Sequence, residues 1–179
     1  MTMGTQNCYA YACGYTKDLK LQPGELGGRL YKSTDRAELT DAACADGLDP
    51  VLGHTPPMLK AGEHLVALMT SSSDTDAYHW LRRIEDGSGD WSHKLGALSP
   101  TKLDSWEKPI NDATNPPHTV DLDYDAMFKR NPSMLRHLDT ARIQGWATNY
   151  DIFVGYFKCP DDFPKIRGNA KLSCNCMIV

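Results

Sequence analysis

The sequence has no apolar run long enough to cross a bilayer, no internal repeat, no low-complexity tract and no excess of positive charge. Each absence removes a class of protein. A spanning helix needs roughly 20 consecutive apolar residues, so none is expected and the chain reads as soluble. With no repeat or linker to divide it, residues 1–179 read as one domain, large enough to bury a core, with 172–179 as a C-terminal tail. The formal charge is −4 and Lys and Arg are scattered rather than striped, so no nucleic-acid partner is expected. The opening MTMGTQNC has neither a basic n-region nor an apolar h-region. A protein of this kind that leaves its cell needs a specialised secretion route.

Metal-ligand spacing is also lacking. Cys174-x-Cys176 has no second cysteine or histidine pair nearby, so neither a metal nor another cofactor is expected. The six cysteines are an even number, but a chain of this length does not need disulfide staples, and they read mainly as free thiols.

What is present points to an α+β fold, an N-terminal helix packed on an antiparallel sheet. Asn7 is a good N-cap for a short helix that opens at Cys8, contains the small residues Ala10, Ala12 and Cys13, and stops at Gly14. A second helix is predicted from a capping box at Asp35-x-x-Glu38 to Gly47. Strands follow at Leu65–Met69, Tyr78–Ile84 and Trp91–Leu95, the last two joined by the hairpin signal Asp86-Gly87-Ser88-Gly89. Residues 96–149 read as an elaborated loop with one helical stretch near Ser133–Arg142, and Tyr150–Phe157 as a final buried strand.

The chemistry centres on Cys8, His79 and His93. Unpaired amides at a helix start favour a thiolate and can donate to an oxyanion, to which the Gln6 side chain can add a further donor. An odd-numbered hairpin loop gives opposed residues the same parity, so His79 and His93 are predicted to share one face of the sheet with a small offset. His79 then takes the thiol proton, and His93 orients it through its other nitrogen. Each residue also has a structural reading: Cys8 as a small core residue, His79 as a half-buried strand histidine, His93 as a polar strand end. Their joint occurrence in this order favours catalysis. His54, His64, His118 and His137 read as structural residues without partners.

At these residues the chain resembles the papain-like cysteine hydrolase superfamily, and within it the NlpC-type peptidases and CHAP-type amidases. The resemblance covers roughly residues 5–15 and 64–96. It implies Cys8 as nucleophile, His79 as base and His93 as orienter, acting without a cofactor. The family's usual Asp-Cys-Ser-Gly-type string is replaced here by Asn7-Cys8-Tyr9-Ala10, which separates cysteine chemistry from any particular substrate.

The tail carries a second signal. Cys176-Met177-Ile178-Val179 has the form of a C-a-a-X box, with Cys174 and nearby Lys165, Arg167 and Lys171 as a second membrane signal. The alternative is a buried final strand. The resulting expectation is a cysteine peptidase or amidase that cleaves an amide bond through a thioester, a secreted bacterial toxin or effector acting on peptidoglycan or a host protein. Glutamine deamidation, transglutamination and an inert module that docks an immunity or host partner remain open alternatives.

Overall fold

The computed structural model describes residues 6–17, 20–85, 88–96, 98–111, 122–123, 126, 129–133 and 149–164. In chain order the elements are α1 (Cys8–Ala12), α2 (Arg36–Ala45), β1 (Asp49–Val51), β2 (Glu63–Thr70), β3 (Tyr78–Arg83), β4 (Trp91–His93) and β5 (Ile152–Pro160). The strands form one five-stranded sheet in the order β1-β5-β2-β3-β4, with every neighbouring pair antiparallel. Short helices packed on an antiparallel sheet make this an α+β fold. Among the described residues no helix is long and apolar enough to cross a membrane.

The helix ends follow from local chemistry. Asn7 Oδ1 accepts from the Ala10 amide at 2.8 Å, while its Nδ2 donates to the Leu21 carbonyl at 2.7 Å, so one side chain caps α1 and ties it to the next loop. Asp35 caps α2 by accepting from Ala37 and Glu38. The predicted capping box is only half formed: Glu38 turns to the Lys32 amide and to Arg29 instead of reaching back to Asp35. At the other end of α2, the fully buried Asp46 carboxylate accepts from Tyr9 Oη at 2.8 Å and from the Gly24 and Gly27 amides at 2.7 Å each. Burial raises the pKa of this carboxyl, and those donors oppose the rise. Side chains cannot replace the two glycines, because a Cβ at Gly24 would lie 1.8 Å from the Arg29 carbonyl oxygen and one at Gly27 2.2 Å from that of Ala45. Asp46 thus joins α1, α2 and the intervening loop.

Both faces of the sheet are buried. Val66, Leu68, Trp80, Phe157 and Cys159 pack against Tyr9, Ala10, Leu39 and Ala43 of the helices. On the opposite face Leu65, Ala67, Met69, Leu81 and Trp91 pack against Leu95, Ile110 and Leu122. Ile110 and Leu122 of that second cover come from the region read as an elaborated loop, which runs back beside β4 through bridges His93–Thr101 and Asp90–Asn111.

The strand bounds differ from the sequence reading: β2 runs Glu63–Thr70, β3 ends at Arg83 and β5 begins at Ile152. β4 ends at His93, because Lys94 and Leu95 leave the ladder. β5 extends to Pro160 and carries a bulge: Leu68 pairs with Gly155 but Met69 with Phe153, so Val154 is the extra residue. The three-residue β1, containing Pro50, was not anticipated; it is an edge strand, where a residue lacking an N–H is tolerated. Of the predicted helix near Ser133–Arg142 only Ser133 is described, in a single tight turn with Pro132. The remainder, with His118, His137, Cys174, Cys176 and the tail, lies outside the described residues.

Candidate active site

The hairpin register brings His79 and His93 together. Leu81 pairs with His93, leaving His79 two residues along β3 on the same face. His93 Nε2 lies 2.9 Å from the Leu103 carbonyl oxygen, and His93 Nδ1 lies 3.0 Å from His79 Nε2. A carbonyl can only accept, so His93 carries its proton on Nε2 and presents a lone pair on Nδ1. His79 must then donate from Nε2, and its own lone pair resides on Nδ1. Burial, followed by the neighbouring His93, lowers the pKa of His79 well below 6.5. Burial also lowers that of His93, against the opposing Leu103 carbonyl and Asp104 charge. Both rings are therefore neutral at neutral pH, as the tautomer chain requires.

Cys8 occupies the first position of α1 and is partly buried. The helix lies over the even-numbered face of β3, whereas His79 and His93 project from the odd-numbered face. Trp80 neighbours Cys8, and Tyr150 neighbours both Cys8 and His79. The Trp80 amide hydrogen-bonds the Cys8 sulfur, and Tyr150 packs its ring at a tilt of 33° with its centroid 4.9 Å from that of His79, while its hydroxyl senses the Cys8 charge. Lys94 is buried and donates from Nζ to the Gly96 carbonyl. The expected thiolate is not formed in the resting protein. Burial pushes the Cys8 thiol up to about 11, outweighing the amides of Trp80, Tyr9 and Cys8 and the charge of Lys94. A five-residue helix offers too small a dipole to reverse that. Gln6 Nε2 donates to the Tyr15 carbonyl at 2.7 Å, which orients its amide beside the start of α1.

A second thiol–imidazole group lies at the other end of α1, where the sequence reading assigned His64 no partner. His64 is buried, with Nε2 3.0 Å from the Ala12 carbonyl oxygen and Nδ1 3.0 Å from Asp161 Oδ1. Two acceptors facing two ring nitrogens require both to carry protons, so His64 is an imidazolium. Burial opposes that charge, but Cys159 and Asp161 raise the His64 pKa above its ordinary value. Burial alone would likewise raise Cys159, but hydrogen bonds from Cys13 and His64 and the charges of His64 and Arg82 hold it below the usual thiol range. Cys159 is fully buried, and its Sγ donates to the Cys13 carbonyl at 4.0 Å. The side chains of His64, Glu85 and Asp161 come within 4.8 Å of one another, but His64 has no lone pair left for a metal. His54 packs its ring 5.3 Å from Phe153. Sequence spacing held no signal for the His64 group, because its members come from β2, β5 and the end of α1.

No protein-family model matches the chain, and searches of curated proteins and of solved structures also returned no match.

Proposed function

We propose that this protein is a papain-like cysteine hydrolase that cleaves an amide bond with Cys8 as nucleophile, His79 as base and His93 as orienter. The observation that supports the reading most is the directed chain from His79 through His93 to the Leu103 carbonyl, which leaves the basic lone pair of His79 on Nδ1. In the reaction, His79 Nδ1 takes the Cys8 proton as the sulfur bonds to the substrate carbonyl carbon. The Cys8 amide and the second N–H of the Gln6 side-chain amide face the developing oxyanion. The C–N bond then breaks, the imidazolium returns its proton to the leaving amine, and a thioester remains. Water, deprotonated by His79, releases the acid and restores the thiol. Because thiol and imidazole both begin neutral, proton transfer accompanies attack. The biological setting we infer is a secreted bacterial toxin or effector acting on peptidoglycan or a host protein.

Wild type and Cys8→Ala are to be incubated separately with peptidoglycan fragments and host-cell lysate, and the products identified by mass spectrometry. A wild-type-only product in either supports hydrolysis and selects the compartment. His79→Ala is expected to lower turnover by at least about 100-fold, and His93→Ala to leave a measurable fraction. Equal, negligible effects of the two variants would count against the hairpin as the catalytic wall.

The burial of Cys8 and its raised pKa favour one other reading, an inert scaffold that docks a partner. In that case iodoacetamide should modify Cys8 no faster than the buried Cys44.

A further inference from the structure

The C-terminal end of α1 meets β2 and β5 at two thiols for which the hydrolase chemistry has no use. Cys159 stands directly opposite His64 in the β2–β5 ladder. Cys13 is the C-cap of α1, and as a thiol Cys159 donates to its carbonyl oxygen at 4.0 Å. The two thiols are hydrogen-bonded to one another, both are buried in the same core, and neither is in a disulfide.

Their surroundings make the pair unequal. Against the desolvation of burial, the Cys13 thiol, the ring and charge of His64 and the charge of Arg82 bring Cys159 down to about 6. Burial, followed by Cys159 and the Asp46 charge, holds Cys13 well above its ordinary value. Packing fixes Arg82 against this end of the helix, since a Cβ at Gly14, the residue after Cys13, would lie 2.8 Å from Arg82 Nη1. One sulfur therefore ionises readily and its neighbour keeps a proton, the division of labour in which a thiolate attacks an oxidant and a second cysteine resolves the product. The group reaches the surface through Asp161, whose half-exposed carboxylate lies 3.0 Å from His64 Nδ1. Burial of both sulfurs limits the oxidant to a small, uncharged molecule.

We propose that Cys13 and Cys159 are an oxidation site, at which a hydroperoxide converts the two thiols to a disulfide that clamps the end of α1 to β5. In the first step the Cys159 sulfur bonds to a peroxide oxygen as the O–O bond breaks. The departing hydroxide leaves as water with the proton that Cys159 gave up, and Cys159 becomes a sulfenic acid. The Cys13 sulfur then bonds to the Cys159 sulfur, the S–O bond breaks, and the hydroxide leaves as water with the Cys13 proton. Two thiols are oxidised and one peroxide is reduced to two waters. Neither Cys8 nor the paired histidines take part, so the inference stands apart from the hydrolase reading.

The test treats the folded full-length protein with hydrogen peroxide in slight molar excess, denatures it in N-ethylmaleimide to block the remaining thiols, and digests it without reductant. Chymotrypsin serves for the digest because it cuts at the tyrosines between Cys8 and Cys13. Mass spectrometry is expected to find peptides joined through Cys13 and Cys159 in most of the protein, absent before treatment and lost after dithiothreitol. In the Cys13→Ser protein, where nothing resolves the first product, dimedone added with the denaturant should label Cys159 instead. The oxidised wild type is expected to melt at least about 5 °C above the same sample after dithiothreitol, because the bridge joins residues 146 apart in the sequence. The proposal is overturned if no Cys13–Cys159 linkage forms, if it forms in equal yield when peroxide is added in guanidinium chloride, or if the oxidised protein melts no higher than the reduced one. A Cys13→Ser protein with the circular dichroism of the wild type but no dimedone on Cys159 would overturn it equally.

Discussion

Cys8 and His79 are both uncharged at neutral pH, one because burial raises an acid and the other because burial lowers a base. The pH dependence follows from those signs. If the proposed hydrolysis operates, it requires neutral His79 in the free protein, so the acid limb of kcat/KM is expected well below pH 6.5. The alkaline limb is expected towards about 11, where Cys8 loses the proton that its imidazole must later give to the leaving amine. A limb near 8.5, measured over a full pH series, would mean that Cys8 titrates as an ordinary thiol. Iodoacetamide labelling of the His79→Ala protein should likewise still be rising above pH 9. At this scale the shared face of His79 and His93 was legible because strand parity carries the signal. The height of the Cys8 pKa was not legible, since it depends on what buries the sulfur.

At the scale of elements, α1 is held more by its side-chain attachments than by its own five residues. Asn7→Ala removes both the cap and the bond to Leu21, and is expected to cost about 1–2 kcal/mol in chemical denaturation. Asp46→Ala leaves the buried Tyr9 hydroxyl, the buried Gly24 amide and the half-buried Gly27 amide without their acceptor, and should cost on the order of 3 kcal/mol by the same measurement. His64 fastens the opposite end of α1, with a pH signature of its own. Its folded pKa is raised above 6.5, so its contribution is full below that pH and is lost as pH rises through the folded value. The gap in melting temperature between wild type and His64→Gln should therefore narrow as pH is raised from 5.5 to 9. A gap that widens over that range would contradict the imidazolium. The helix starts could be read because caps are local, but the Asp46 and His64 attachments span 37 and 52 residues of sequence and have no spacing to reveal them.

At the scale of the molecule, one sheet serves two cores, which couples the α1 side to the histidine side. Trp91 is fully buried in the second core, and Trp91→Ala is expected to cost about 3–5 kcal/mol, read from the shift in denaturant midpoint. Because the cores share β2, β3 and β5, far-ultraviolet circular dichroism and tryptophan fluorescence should report one coincident transition. The sequence by itself determined the α+β class, the starts of both helices, the central hairpin and the shared face of His79 and His93. These rest on interactions within a few residues or on the two-residue period of a strand. Only the tertiary structure decided that the histidines project from the face opposite α1, that β4 departs at Lys94, and that the Val154 bulge puts Phe153 and Tyr156 on one face. It also gathered Cys13, His64 and Cys159 into one buried group. Those outcomes depend on which distant segments compete for the same buried space, and no local pattern encodes the result of that competition.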